Sequence, residues 1–295
     1  MQNNTKLALT EGWASIFINI LLFALKYWAG LVTGSIALIA DARHTLSDSI
    51  SSVFVILGVK ISHKPADKKH PFGHGRSELI TSILIGAMLA FVAFYFCSEG
   101  IAKLRSHEMV HYGTIAIVVT IISIVLKEAL AQYAFYIGRK TKSQSVSADG
   151  WHHRSDALSS VVVLVGIFFG KYFWWIDGAL GIIVAALIFH AAYKVIMDSA
   201  GTIMGEEPAD DIIDQIKDII RNTTNNNLDP HHFHIHNYVL HRELTFHVRF
   251  PNDMRIEEAH LIVSSIEKEI SQLLGIDATI HIEPYKVFDN SIHAD

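Results

Sequence analysis

The residues that invite chemistry stand in a phrase the chain uses twice: ADARHTLSDSISSV from Ala40 and ADGWHHRSDALSSV from Ala148. In the first copy His44 precedes Asp48 by one helical turn, and in the second His152 precedes Asp156 by the same spacing, which puts each pair on one helix face. Two imidazoles and two carboxylates brought together suit a borderline divalent cation, Zn²⁺ first, in tetrahedral coordination. Such a site needs neutral histidine and ionised aspartate, so loading a metal displaces protons and protonation helps release it. His44 and His152 are the expected coupling residues, because imidazole titrates nearest physiological pH. A plainer alternative pairs each His with the Asp of its own helix as a polar contact between spans, but it leaves the duplication unexplained. Asp41 and Asp149, one turn earlier in each copy, read equally as partners that orient the histidines or as polar groups that pack helices.

The elements that position this phrase are membrane spans. Just over half of the 295 residues are hydrophobic and only 18% are charged, which is too apolar for an ordinary soluble domain. Six stretches reach the ~20 residues needed to cross a bilayer: about 12–33, 35–62, 77–103, 111–138, 144–170 and 174–203. The repeated phrase falls on the second and fifth. Three spans per half invert the second copy, so the two motif helices run antiparallel, as in inverted repeats that build sites near the bilayer midplane. The first span lacks the layout of a cleaved signal and is expected to stay. Lys60, Lys64, Lys68, Lys69 and Arg76 flank one connection, and Arg139, Lys140 and Lys142 another; this bias predicts both termini in the cytoplasm. Trp13, Trp28, Trp174 and Trp175 lie near span ends, where interfacial anchors or core packing would place them. A net charge of −5 without a basic block argues against nucleic acid as a partner. The single cysteine, Cys97, rules out an internal disulfide and thiolate metal sites.

The quoted phrases, with His44 and Asp48 in one and His152 and Asp156 in the other, resemble the paired signatures of the cation diffusion facilitator family. The resemblance covers nearly the whole chain. It implies an all-α six-helix transmembrane bundle over residues 1–204, a cytoplasmic metal-binding regulatory domain over 205–295, and a homodimer in the lipid bilayer. It further implies export of a divalent metal from the cytoplasm against protons, with Zn²⁺ as substrate and regulatory ligand and no catalytic cofactor. Cd²⁺, Co²⁺, Fe²⁺ or Mn²⁺ are the alternative cargoes. The short connection around Thr141–Ser143 fits a prokaryotic version in the plasma (inner) membrane. In the second connection Asp67, His70 and His74 match the family's interfacial metal loop, and three ligands within eight residues can chelate locally. Arg76 matches a basic residue that locks protomers in the family; the acid expected opposite it falls on Gly205, with Glu206 and Glu207 following. Lys26, Glu99, Lys127 and Glu128 are charged residues within spans and have no assigned role.

Past Gly205 the periodicity changes. An amphipathic helix begins near Pro208; Leu244, Phe246, Val248 and Phe250 alternate with polar residues; a helical stripe runs from Ile256 to Leu273; and alternation returns at Ile276. The order αββαβ predicts a ferredoxin-like α+β domain with both helices on one sheet face. Strand parity puts His247, His281 and Glu283 together on the polar face. The resemblance adds His231 and His260 to them as a regulatory metal site. Simple alternation instead puts His232, His234 and His236 on that face, so His231 or His232 is the ligand. Two other readings compete with the transporter. A membrane metalloenzyme lacks a general base beyond the ligands, and a membrane-bound metal sensor would not need the intact intramembrane quartet.

Overall fold

The computed structural model describes residues 2–33, 36–106, 114–169, 175–205, 208–224 and 228–285. The chain divides into two compact units, Met1–Ala200 and Gly201–Asp295. The first is a bundle of long helices: α1 (Gln2–Thr33), α2 (Ile36–Ser62), α3 (Ser77–Ser106), α4 (Thr114–Thr141), α5 (Gln144–Phe169) and α6 (Ile176–Met204). Its polarity is the reverse of a soluble protein's. Trp13, Phe17, Trp28, Phe91, Phe94 and Val125 are exposed, whereas Glu11, Ser15, Asn19, Lys26, Asp48, Lys127, Asp149, His152 and Asp156 are buried. A bundle that turns its large apolar side chains outward and its charges inward is solvated by hydrocarbon.

Among the described residues, five of these helices, all but α5, carry a stretch apolar enough and long enough to cross a membrane. The reason α5 falls short is local: its first half holds Asp149, His152, His153, Arg154 and Asp156. α1 packs on α2 and α4, and α5 packs on α4, α3 and α2. α3 and α6 meet closely where side chains are absent, since a Cβ on Gly178 would stand 2.8 Å from the Gly100 carbonyl oxygen. Small residues at such a crossing let backbones approach in place of a hydrophobic driving force, which lipid cannot supply. α2 ends at Ser62 with Pro65 close behind, and a proline there prevents the helix from continuing.

The second unit runs α7 (Asp210–Thr224), β1 (Pro230–Asn237), β2 (Arg242–Phe250), α8 (Ile256–Leu274) and β3 (Asp277–Pro284). The sheet order is β1-β2-β3; β1 pairs antiparallel with β2, and β2 pairs parallel with β3 through the α8 crossover. One sheet face and both helices share a core of Ile216, Ile220, Leu244, Phe246, Val248, Val263, Ile266 and Ile270. Gly275 stops α8 in the left-handed conformation at φ 60°, donating its N–H to Ser271 O. The opposite sheet face carries the histidines.

Candidate metal centre

Within the bundle, the two copies of the repeated phrase converge. His44 Nε2 lies 3.8 Å from Asp48 Oδ1. His152 Nε2 lies 3.9 Å from Asp48 Oδ1 and 3.8 Å from Asp156 Oδ2. His44, Asp48 and Asp156 each offer a ligand atom within 4.8 Å of the others. Ligand atoms around a tetrahedral zinc stand roughly 3.4 Å apart, given bonds of about 2.1 Å, so the observed spacing needs only a small contraction. His152 is 2% exposed, and neither of its ring nitrogens has a hydrogen-bond partner. A buried imidazole left so is unusual, and a cation is what its free lone pair suits.

Lys127 of α4 enters the same centre. Its ammonium donates to Asp48 Oδ2 at 2.8 Å and to Asp156 Oδ2 at 2.7 Å, and its side chain is buried. The charge that lacked a role in the sequence is thus the counter-ion of the two buried aspartates. Its neighbour Glu128 faces another way and accepts from Arg154 Nη2 at 2.8 Å. Lys26 pairs with Asp41 at 2.9 Å, and Lys103 stands 3.8 Å from Glu99.

The two positions one turn before the histidines part company. Asp41 is half exposed beside Lys26. Asp149 is fully buried and accepts from Ser51 Oγ at 2.8 Å and from Ser52 Oγ at 3.0 Å. Ser51 shares its proton between Asp149 and the Asp48 carbonyl of its own helix, 2.8 Å away, the contact that the equivalent second-copy serines, Ser159 and Ser160, make with the Asp156 carbonyl. The repeat is symmetric in sequence but not in its contacts.

Between α2 and α3, Asp67 Oδ1 is 3.5 Å from His70 Nδ1 and Asp67 Oδ2 is 3.5 Å from His74 Nε2. The backbone N–H groups of His70 and Lys69 donate to Asp67 Oδ1. They and the nearby imidazoles hold its carboxyl below the usual carboxylate range. His74 Nδ1 lies 3.2 Å from the Pro65 carbonyl; since a carbonyl only accepts, Nδ1 carries a proton and donates to it, which leaves Nε2 as the ring nitrogen facing Asp67. Gly73 makes the turn at φ 79°. Arg76 has a partner of its own, while Glu206 and Glu207 lie outside the described residues.

In the second unit the register aligns His231 with His247, and His247 with His281, across three strands. His247 Nδ1–H donates to Glu283 Oε1 at 2.7 Å, and His231 Nε2 lies 3.1 Å from Glu283 Oε2. Burial pushes the Glu283 carboxyl up, but hydrogen bonds from His247 and His231, and their charge, hold it below its usual range. His231 reaches this face because β1 bulges between His231 and His234, with His232 at φ 53°. The extra residue shifts the side-chain parity, which simple alternation could not foresee. The His281 ring lies 4.7 Å from that of His247, tilted by 49°. His260, exposed on α8, is not part of the group His231, His247 and Glu283.

Glu11 of α1 and His153 of α5 escaped the sequence reading. The available signal was a polar stripe of Glu11, Ser15 and Asn19 at successive helical turns, all buried.

A bundle that faces lipid and encloses a His/Asp cluster defines a membrane transporter of cations. The cation efflux transmembrane domain matches residues 12–204, and the cytoplasmic domain of cation efflux proteins matches 208–285. The chain therefore belongs to the cation diffusion facilitator family, whose members are multi-pass membrane transporters and not enzymes. An uncharacterized transporter of Methanocaldococcus jannaschii is 36% identical over 91% of this chain and 95% of its own. The manganese efflux system protein MneP of Bacillus subtilis is 28% identical over 92% and 94%. The cation-efflux pump FieF of Shewanella oneidensis is 25% identical over 93% of each chain.

Proposed function

We propose that this chain exports divalent transition-metal cations, Zn²⁺ foremost, from the cytoplasm in exchange for protons. The carrying observation is the convergence of His152 Nε2 on Asp48 and Asp156 at 3.9 and 3.8 Å, with His44 beside them. In this reading α5 is the sixth crossing, its low hydropathy being the cost of carrying ligands. Six crossings and the Lys/Arg bias put both termini in the cytoplasm of a plasma-membrane protein.

Metal entry requires the Lys127 ammonium to leave the two aspartates, because one centre cannot hold both cations at these distances. Release is assisted by protons taken up on His44, His152 or the aspartates. Asp67, His70 and His74 form a second, exposed metal site. The second unit, in ferredoxin-like form, pairs two protomers and senses cytoplasmic metal through His231, His247 and Glu283, with His281 and His260 joining when the ion is present. Kinship with a manganese efflux protein favours Mn²⁺ as the second reading, although two imidazoles suit zinc better than manganese.

Proteoliposomes holding a pH-sensitive dye test the reading. Zinc movement down its gradient is expected to drive protons the other way, and excess Mn²⁺ to compete weakly. Zinc flux without proton movement overturns the exchange, and full competition by Mn²⁺ overturns the preference.

A further inference from the structure

We propose that Glu11, Asp149 and His153 form a second site inside the membrane domain for a divalent transition-metal ion. The three residues are each 0% exposed, and each offers a ligand atom within 4.8 Å of the others. Neither oxygen of Glu11 has a hydrogen-bond partner, nor does His153 Nδ1. Two carboxylates and an imidazole in a bundle interior, one carboxylate without a donor, form an incomplete charge arrangement. A divalent ion balances two carboxylates one for one, and oxygen with imidazole is a donor set that zinc accepts.

The surrounding hydroxyls fix the polarity of the cluster. Ser51 and Ser52 both donate to Asp149, so Ser52 has no proton left and accepts from Ser15 across their 2.7 Å contact. Ser15 in turn accepts from His153 Nε2–H at 2.6 Å. The neutral ring then has a bare lone pair at Nδ1, while Nε2 is the nitrogen that stands 3.4 Å from Asp149 Oδ2, so an ion held there takes the place of the contact between Nε2 and Ser15. These serines orient the ligands from α1 and α2 while α5 supplies two of the three, an arrangement expected of supports around a metal. Lys127 satisfies the aspartates of the neighbouring centre; among the described residues no lysine or arginine pairs with Glu11 or Asp149.

The position gives the site a use. The His152 and His153 rings lie 6.0 Å apart, so an ion leaving one site is a single step from the other. Asp149 lies toward the start of α5, and Ser52 toward the end of α2, relative to the ligands of the first centre. That is the side given to the cytoplasm above, so the second site is a waypoint on the inward approach. This role rests on the transport reading, whereas the binding does not.

The test is equilibrium dialysis of the full chain in lipid nanodiscs over a zinc titration, beside zinc flux in proteoliposomes. Glu11→Gln and His153→Gln are each expected to lose the same saturable Zn²⁺ per chain, the double variant losing no more, and to slow flux. Asp48→Asn with Asp156→Asn is expected to lose a different ion and to abolish flux. Should Glu11→Gln aggregate, Glu11→Asp keeps the charge on a shorter arm and is expected to bind that ion at least about tenfold more weakly. Unchanged zinc stoichiometry in both single variants overturns the site, and leaves the transport reading intact if the wild type moves zinc. Loss of the ion in the variants, beside a wild type that binds zinc but does not move it, removes the transport reading and keeps the site.

Discussion

Lys127 Nζ stands between Asp48 Oδ2 and Asp156 Oδ2 at 2.8 and 2.7 Å, where a bound metal would also draw its charge balance. The two cations compete for one pair of carboxylates. Lys127→Ala removes the competitor and leaves two buried aspartates uncompensated, a loss on the order of 3–5 kcal/mol when one partner of a buried pair is deleted. The metal-free variant is expected to unfold at lower temperature than the metal-free wild type, and zinc to raise its midpoint by more than it raises the wild type's. Thermal unfolding with and without zinc reads both. Glu283 gives a pH prediction. A carboxylate depressed in the folded state adds stability that is complete above its unfolded value and is lost as pH falls through the folded one. The metal-free full chain is therefore expected to lose stability below about pH 4, and Glu283→Gln to flatten that dependence in a pH series of unfolding curves.

At the scale of elements, the motif helices were legible because polar residues at four-residue spacing inside apolar spans are costly and were written twice. What the spacing could not give was the third helix at the site. Lys127 sits beside Glu128 in α4 with no repeat to mark it, and the packing of α4 on α5 brings it to Asp156. Glu11 was hidden for a related reason, since it lies in the first turns of α1, ahead of the long apolar run. In the second unit the αββαβ order followed from periodicity, but that His231 as well as His232 meets His247 depended on a bulge that alternation cannot encode. The sheet is anchored by Phe246, which is fully buried against α8 and stacks on Phe233 at 5.2 Å. Phe246→Ala is expected to cost about 3–5 kcal/mol, read as a lower denaturant midpoint for the second unit's strand signal in the full chain, with zinc flux spared at low temperature.

For the whole molecule, the two halves of the repeat meet at the centre proposed to hold a metal or the Lys127 ammonium, but not both. Lipid favours the exposed apolar faces and penalises uncompensated buried charges, so the bundle holds together around the same groups that are proposed to carry the ion. The most direct measurement is zinc flux through reconstituted wild type, Asp48→Ala and Asp156→Ala, with zinc binding followed alongside. Each substitution alone is expected to abolish flux and weaken binding, because the centre needs a carboxylate from both motif helices. Flux at the wild-type rate in either variant would contradict this.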